Sequence, residues 1–188
     1  MNIKELKKLH LGCGNRYLPG YIHIDIDNYE HIDINSSIND LNMFKDNSVN
    51  EIYSSHSLEY FDIFEVEDVL EEWKRVLCSG GILRLAVPDF ENLNKVYEKT
   101  KKIKNVIGPI MGRWPISNDR ILYHKQIFDE ESLKNLLEKK GFMNIKRWDF
   151  GELQALDPNY DDHSRAYFPH MDFENGIHLS LNIISEKP

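Results

Sequence analysis

Residues Leu9 to Asp27, LHLGCGNRYLPGYIHIDID, decide how the rest of the chain is read. Two apolar-rich runs, LHL and YIHIDI, flank a loop that opens on Gly12 and Gly14 and closes on Pro19-Gly20. A strand, a glycine turn and a second strand carrying an acid at its end make the outline of a nucleotide-binding βαβ unit. Only the nine residues from Gly12 to Gly20 separate the two runs, however. Parallel neighbours need a crossover of about a dozen residues or more. The spacing predicts either a different unit or a crossover whose helix is cut to a single turn.

Further apolar runs at Glu51–Ser54, Ile82–Val87, Phe142–Trp148 and Leu179–Ile184 read as strands, with helical patterns between several of them. The order is mostly βαβ, which predicts an α/β fold with a largely parallel sheet. In EVEDVLEEWKRVLCSGG, Val66, Val69, Leu70, Trp73, Val76 and Leu77 recur at spacings of three and four, so one apolar stripe faces a core. Gly80 and Gly81 are expected to end that helix. GILRLAVP follows as a strand, and Asp89 is placed to cap a helix over DFENLNKVYEK. DEESLKNLLEKKG reads as another helix, with Asp129 as its cap, acids in its first turn, lysines in its last and Gly141 beyond.

The chain of 188 residues suits one domain, expected to span 1–188 with elaborations at about 103–126 and 151–177. Both elaborations are rich in turn residues and aromatics, the composition of loops that shape a binding site. A formal charge of −8 argues against nucleic acid as a partner, because backbone phosphates need clustered Lys and Arg. No run of about 18 apolar residues is present, so no membrane insertion is expected. Cys13 and Cys78 are too few for a disulfide framework, and a cytoplasmic location with reduced thiols is the expectation.

Gly12 and Gly14 allow close approach of backbone to a ligand, and Asp25 stands where a carboxylate accepts hydrogen bonds from ribose hydroxyls. The third glycine of the dinucleotide fingerprint is missing, which disfavours a nicotinamide oxidoreductase.

In order along the chain, LHLGCGN, IDID, DLNMFKDNSVNEIYSSHSLEYF, EEWKRVLCSGGILRLAVPDF, YHKQIFDEESLKNLLEKKGFMNIKRWD and ENGIHLSLNIISEKP resemble the class I S-adenosylmethionine-dependent methyltransferases. More specifically, they resemble a small bacterial group of methyltransferase-domain proteins associated with surface-glycan loci. The resemblance implies a Rossmann-like, doubly wound, seven-stranded sheet, mostly parallel with an antiparallel last strand, and an abbreviated first crossover in which NRYLPGY is a loop or a single turn. It also implies S-adenosylmethionine as cofactor and S-adenosylhomocysteine as product. Gly12, Cys13 and Gly14 would lie against the methionine moiety, Asp25 and Ile26 at the ribose, and Ser55 and His56 of SSHSL on the methionine side. The adenine-side acid of the family aligns nearest Ser37 and Ile38, with Asp40 three residues further on. Arg16 is a candidate partner for the ligand carboxylate, because a shortened helix supplies fewer N-terminal amides.

A hydroxyl acceptor benefits from a general base. His56, Asp89, His124 and His163 are the residues of suitable type at strand ends and in the long loops, and His124 and His163 are the candidate catalytic pair. Asp89 is equally explained as a helix cap. In family members a histidine is common where Tyr60 stands, so no imidazole role transfers there. Asp161, Asp162, His163, His170 and Asp172 are metal-ligand types without a ligand spacing, and a loop ordering over the site is the preferred reading. Trp114 and Trp148 read as packing residues, and His10, His23 and His31 as structural or exposed. The apolar residues of NVIGPIMGRW either form a homodimer contact or fold back onto the sheet. The expected activity is methyl transfer to a small-molecule acceptor, a hydroxyl of a nucleotide-linked sugar or another surface-glycan precursor. The alternative is a non-catalytic cofactor- or nucleotide-binding partner subunit of the same fold.

Overall fold

The computed structural model describes residues 6–116 and 120–188. Along the chain lie strands β1 (Lys8–Leu11), β2 (Ile22–Asp25), β3 (Ile34–Asn35) and β4 (Val49–Ser55), then helix α1 (Glu65–Val76), strand β5 (Leu77–Pro88) and helix α2 (Phe90–Thr100). The segment 103–126 holds the short helix α3 (Ile107–Met111) and a hairpin of β6 (Trp114–Ile116) and β7 (Arg120–Leu122). Helix α4 (Glu130–Lys139), strand β8 (Met143–Arg147) and the one-turn helix α5 (Gly151–Gln154) follow. The chain then forms a second hairpin of β9 (Tyr167–Phe168) and β10 (Ile177–His178), and β11 (Ser180–Glu186) closes it.

Seven strands form one sheet in the order β3-β2-β1-β4-β5-β11-β8. Neighbours from β3 to β5 are parallel, and β11 runs antiparallel between β5 and β8. The expected Rossmann-like sheet and its antiparallel last strand are therefore present.

Alternation along the strands sends two different sets of side chains to the two faces. Leu9, Leu11, Ile52, Leu83, Leu85, Val87, Leu181 and Ile183 belong to a buried apolar core completed by Val66, Val69, Leu70 and Trp73 of α1 and by Leu133 and Leu137 of α4. The opposite set includes His10, His23, Tyr53, Ala86 and Asn182, all buried. No helix lies between β1 and β2, β2 and β3, or β3 and β4 among the described residues. Instead Leu18 and Tyr21 of the first crossover, together with Trp148, Phe150, Leu153 and Tyr160, pack on Tyr53 and Ala86.

The first crossover is thus a turn in which Arg16 N–H donates to the Cys13 carbonyl (3.0 Å), and Leu18 N–H donates to His23 Nε2 (2.9 Å). Fully buried Leu18 supplies the apolar contact that a helix would otherwise bring. β3, only two residues long, escaped the sequence reading because it has no apolar run of its own.

Gly80 and Gly81 do not end α1. The helix stops at Val76, and Leu77 is already extended, its N–H bonded to the Trp73 carbonyl. The last carbonyls are taken by tertiary partners: Asn47 and Ser48 N–H donate to Arg75 and Val76, and Lys187 Nζ donates to Lys74 and Leu77 at 2.7 Å each. The two glycines sit inside β5 where its register against β4 shifts between Val49 and Glu51, with Gly80 at φ +73. Asp89 and Asp129 cap α2 and α4 as the sequence implies, Asp129 through a reciprocal capping box with Ser132.

Candidate functional site

In this strand order the chain reverses direction across the sheet between β1 and β4, and ligands of open α/β sheets sit at the carboxyl ends of strands at such a point. Gly12 and Gly14 leave β1 at φ +64 and +55, conformations that a side chain would strain. A Cβ on Gly12 would lie 2.2 Å from Ser57 Oγ, which donates to the Gly12 carbonyl at 3.0 Å. The loops after β1 and β4 are therefore in direct contact.

At the end of β2, Asp25 accepts the Gly14 N–H through Oδ2 and the Asp27 N–H through Oδ1, each at 2.8 Å. Burial raises its carboxyl above the ordinary value, against the lowering by those amides. Each oxygen keeps a further lone pair. Cys13 is buried, and burial pushes its thiol up to about 12, so it is a packing group at neutral pH. Ile26 is exposed, while Ile38 is buried with its Cδ1 3.8 Å from the position of a Gly12 Cβ. Ser37 is half-buried, whereas Asp40 is exposed and turned into a local bond from Asn42 N–H. Trp114, on the β6–β7 hairpin, stands over Gly14, whose Cβ would meet its ring at 3.2 Å. Two Cβ-free positions, a buried carboxylate and Ser57 thus lie together at the carboxyl ends of β1, β2 and β4, a set of groups suited to a nucleoside with an amino-acid tail.

Three histidines gather, one after β4 and two from the long loops. His56, directly after β4, takes φ +52 although it is not glycine, a strained geometry of the kind that clusters at functional sites. Its ring centroid is 5.3 Å from that of His163, on which Arg16 acts electrostatically. His124 lies edge-on to Tyr60 at 4.7 Å and close over Gly112. Between His56 and His124 stands Glu59, fully buried, with Oε1 3.5 Å from His56 Nδ1 and 3.6 Å from His124 Nε2. Among the described residues no other residue hydrogen-bonds either carboxylate oxygen, and burial pushes this carboxyl up to about 8 against the lowering by its own backbone N–H. Desolvation likewise lowers His56 and His124 below the ordinary imidazole value.

Of the sequence candidates, His56, His124 and His163 are brought to one place. Asp89 is not among them. It is buried as the α2 cap, accepting from Asn92 N–H and Nδ2, with Arg147 at 3.6 Å. The reading missed Glu59, Ser180 and His178. Glu59 in SLEYF looks like an ordinary acid in a polar stretch, and nothing local signals that it is buried.

Residues 9–85 match the family described as "Methyltransferase domain". Among solved structures, an S-adenosylmethionine-dependent methyltransferase from Archaeoglobus fulgidus is 15% identical over 98% of this chain and 87% of its own, with a TM-score of 0.59. One from Methanosarcina mazei is 18% identical over 98% and 93%, with a TM-score of 0.56. The 1,6-didemethyltoxoflavin-N1-methyltransferase of Burkholderia thailandensis, solved with 1,6-didemethyltoxoflavin and S-adenosylhomocysteine, is 11% identical over 96% and 70%, with a TM-score of 0.55. No curated protein matches this chain in sequence. At these identities the structural likeness is one of fold. Residues 9–85 thus resemble a methyltransferase domain, and the whole chain has the fold of S-adenosylmethionine-dependent methyltransferases.

Proposed function

We propose that this protein transfers the methyl group of S-adenosylmethionine to a hydroxyl of a small acceptor, a nucleotide-linked sugar or another surface-glycan precursor. One observation carries the enzymatic part: a buried carboxyl that no other described residue hydrogen-bonds and three histidines adjoin, through Ser57, the Gly12–Gly14 turn held by Asp25. The acceptor class is supported by the resemblance of the chain's motifs to the surface-glycan group, and a net charge of −8 disfavours nucleic acid.

Bound cofactor would supply an electrophilic methyl group on a sulfonium. Gly12 and Gly14 admit the ligand's tail, Asp25 and the Ser37–Ile38 turn bracket its nucleoside, and Arg16 balances its carboxylate. His124 and His163 border the acceptor side, where alignment supplies much of the rate.

The test is calorimetric titration of the folded protein with S-adenosylmethionine and S-adenosylhomocysteine, with NAD and NADH as controls. Binding of the sulfur ligands alone is expected, followed by detection of methylated product by mass spectrometry in a screen starting with nucleotide sugars. Cofactor binding with no methylated product from any acceptor class moves the protein to a partner-binding role, and no binding at all overturns the reading.

A further inference from the structure

Hydrogen-bond partners determine which nitrogens of the two histidines carry protons. Asn182 Nδ2 donates to the Ser164 carbonyl (2.9 Å), so its Oδ1 faces Ser180 and accepts from Ser180 Oγ (2.8 Å). Ser180 Oγ, its own proton spent there, must accept from His56 Nε2 at 3.1 Å. A neutral His56 then presents a bare Nδ1 to Glu59. His124 Nδ1 lies 3.0 Å from the Pro109 carbonyl, which only accepts. A neutral His124 therefore presents a bare Nε2 to Glu59 as well.

Both bare nitrogens approach the same Oε1 of a carboxyl that is fully buried. Among the described residues an ionised Glu59 would face two lone pairs and no donor besides its own backbone N–H, so the group of three requires one proton. The other charged or titratable groups around it do not supply one. Tyr60 meets the ring of His124, His163 packs on His56, and His178 Nε2 is bonded to the Ser164 carbonyl. Lys125, whose backbone N–H donates to the Glu59 carbonyl, sends its ammonium to Glu65 at 2.7 Å.

The cluster borders the site of a cationic ligand, because Ser57, between His56 and Glu59, touches Gly12. We propose that Glu59, His56 and His124 hold a single shared proton that is expelled when the cationic methyl donor binds and is regained from the acceptor during transfer. The inference rests on the methyl-transfer reading. Its balance closes: the acceptor's O–H bond breaks, a C–O bond forms to the methyl, the S–C bond breaks with its pair on sulfur, and the proton returns to the cluster. One positive and one negative charge disappear together. The cluster thereby senses the sulfonium charge, favouring S-adenosylmethionine over its neutral product. Glu59 acts through the imidazoles as a positioning residue.

The test is calorimetry at pH 7 in phosphate and in Tris, whose ionisation enthalpies differ, so the two heats report protons exchanged on binding. S-adenosylhomocysteine carries the same amino and carboxyl groups, so the difference between the ligands reports the sulfonium. Wild type is expected to release close to one proton with S-adenosylmethionine and none with S-adenosylhomocysteine. Glu59→Gln is expected to bind S-adenosylhomocysteine within about twofold of wild type, to lose the release, and to lose about tenfold in preference for the methyl donor. Binding by wild type without proton release, or equal release by Glu59→Gln, overturns the inference alone. Failure of wild type to bind either ligand overturns the methyl-transfer reading with it. If Glu59→Gln does not fold, carbon NMR of glutamate-labelled wild type decides: one carboxyl titrating near neutrality or above supports the cluster, and all of them titrating in the ordinary range overturns it.

Discussion

Asp25 shows how much one side chain organises. It ties the Gly14 amide to the end of β2, and each of its oxygens keeps a further lone pair. Asp25→Ala is expected to weaken S-adenosylmethionine binding at least tenfold by calorimetry, since charge-assisted hydrogen bonds are worth about 1.5–3 kcal/mol. Arg16→Ala should weaken the same binding through loss of its positive charge, and an unchanged dissociation constant would remove Arg16 from the site. For Gly12→Ala, a Cβ 2.2 Å from Ser57 Oγ at φ +64 predicts a loss of about 1–3 kcal/mol in urea unfolding. Cys13, by contrast, is a buried thiol whose neighbours in the sequence carry the chemistry.

Among the elements, the one that covers the histidine-bearing face is unusual in being mostly loop. Its anchor is Asp162, which accepts the Tyr53 and Tyr160 hydroxyls at 2.5 and 2.8 Å and both the N–H and the hydroxyl of Ser164. Asp162→Ala removes the shared acceptor of two buried phenols, leaving Tyr53 only Ser164 Oγ at 3.3 Å and Tyr160 only His10 Nε2 at 3.5 Å, and is expected to cost about 2–4 kcal/mol. Limited proteolysis should then cut within 149–165 well before the rest of the chain. α1 illustrates the same dependence on partners. Its apolar stripe was plain in the sequence, but its end was not, because Lys187, more than a hundred residues away, takes the carbonyls that Gly80 was expected to release. Lys187→Met should therefore lower stability by about 1–2 kcal/mol without altering cofactor affinity.

At the scale of the whole molecule, buried titratable groups give stability a pH dependence of two signs. His10, His23, His56 and His124 are all held below the ordinary imidazole value of 6.5, with burial the first cause in each. The unfolded chain then binds more protons than the fold, so their stabilisation is present above pH 6.5 and is lost as pH falls below it. Glu59 works oppositely: with its carboxyl raised from 4.5 to about 8, the fold holds the extra proton, and stability is lost as pH rises through that interval. Urea midpoints should peak near neutrality, with His10→Gln flattening the acid limb and Glu59→Gln the alkaline one.

The sequence by itself determined the mostly βαβ order, the caps Asp89 and Asp129 and a first crossover too short for an ordinary helix, each written in local patterns of spacing, capping and turn residues that act within a few positions. The glycine turn and Asp25 were legible for the same reason. The antiparallel last strand came from the resemblance of the motifs, and the full strand order from the tertiary structure. Tertiary structure alone decided that His10 and His23 lie buried under a loop, that Gly80 and Gly81 serve a bulge, and that Glu59 stands between two histidines. These depend on burial and on partners distant in the chain, and a carboxyl's partners and desolvation are properties of the assembled fold.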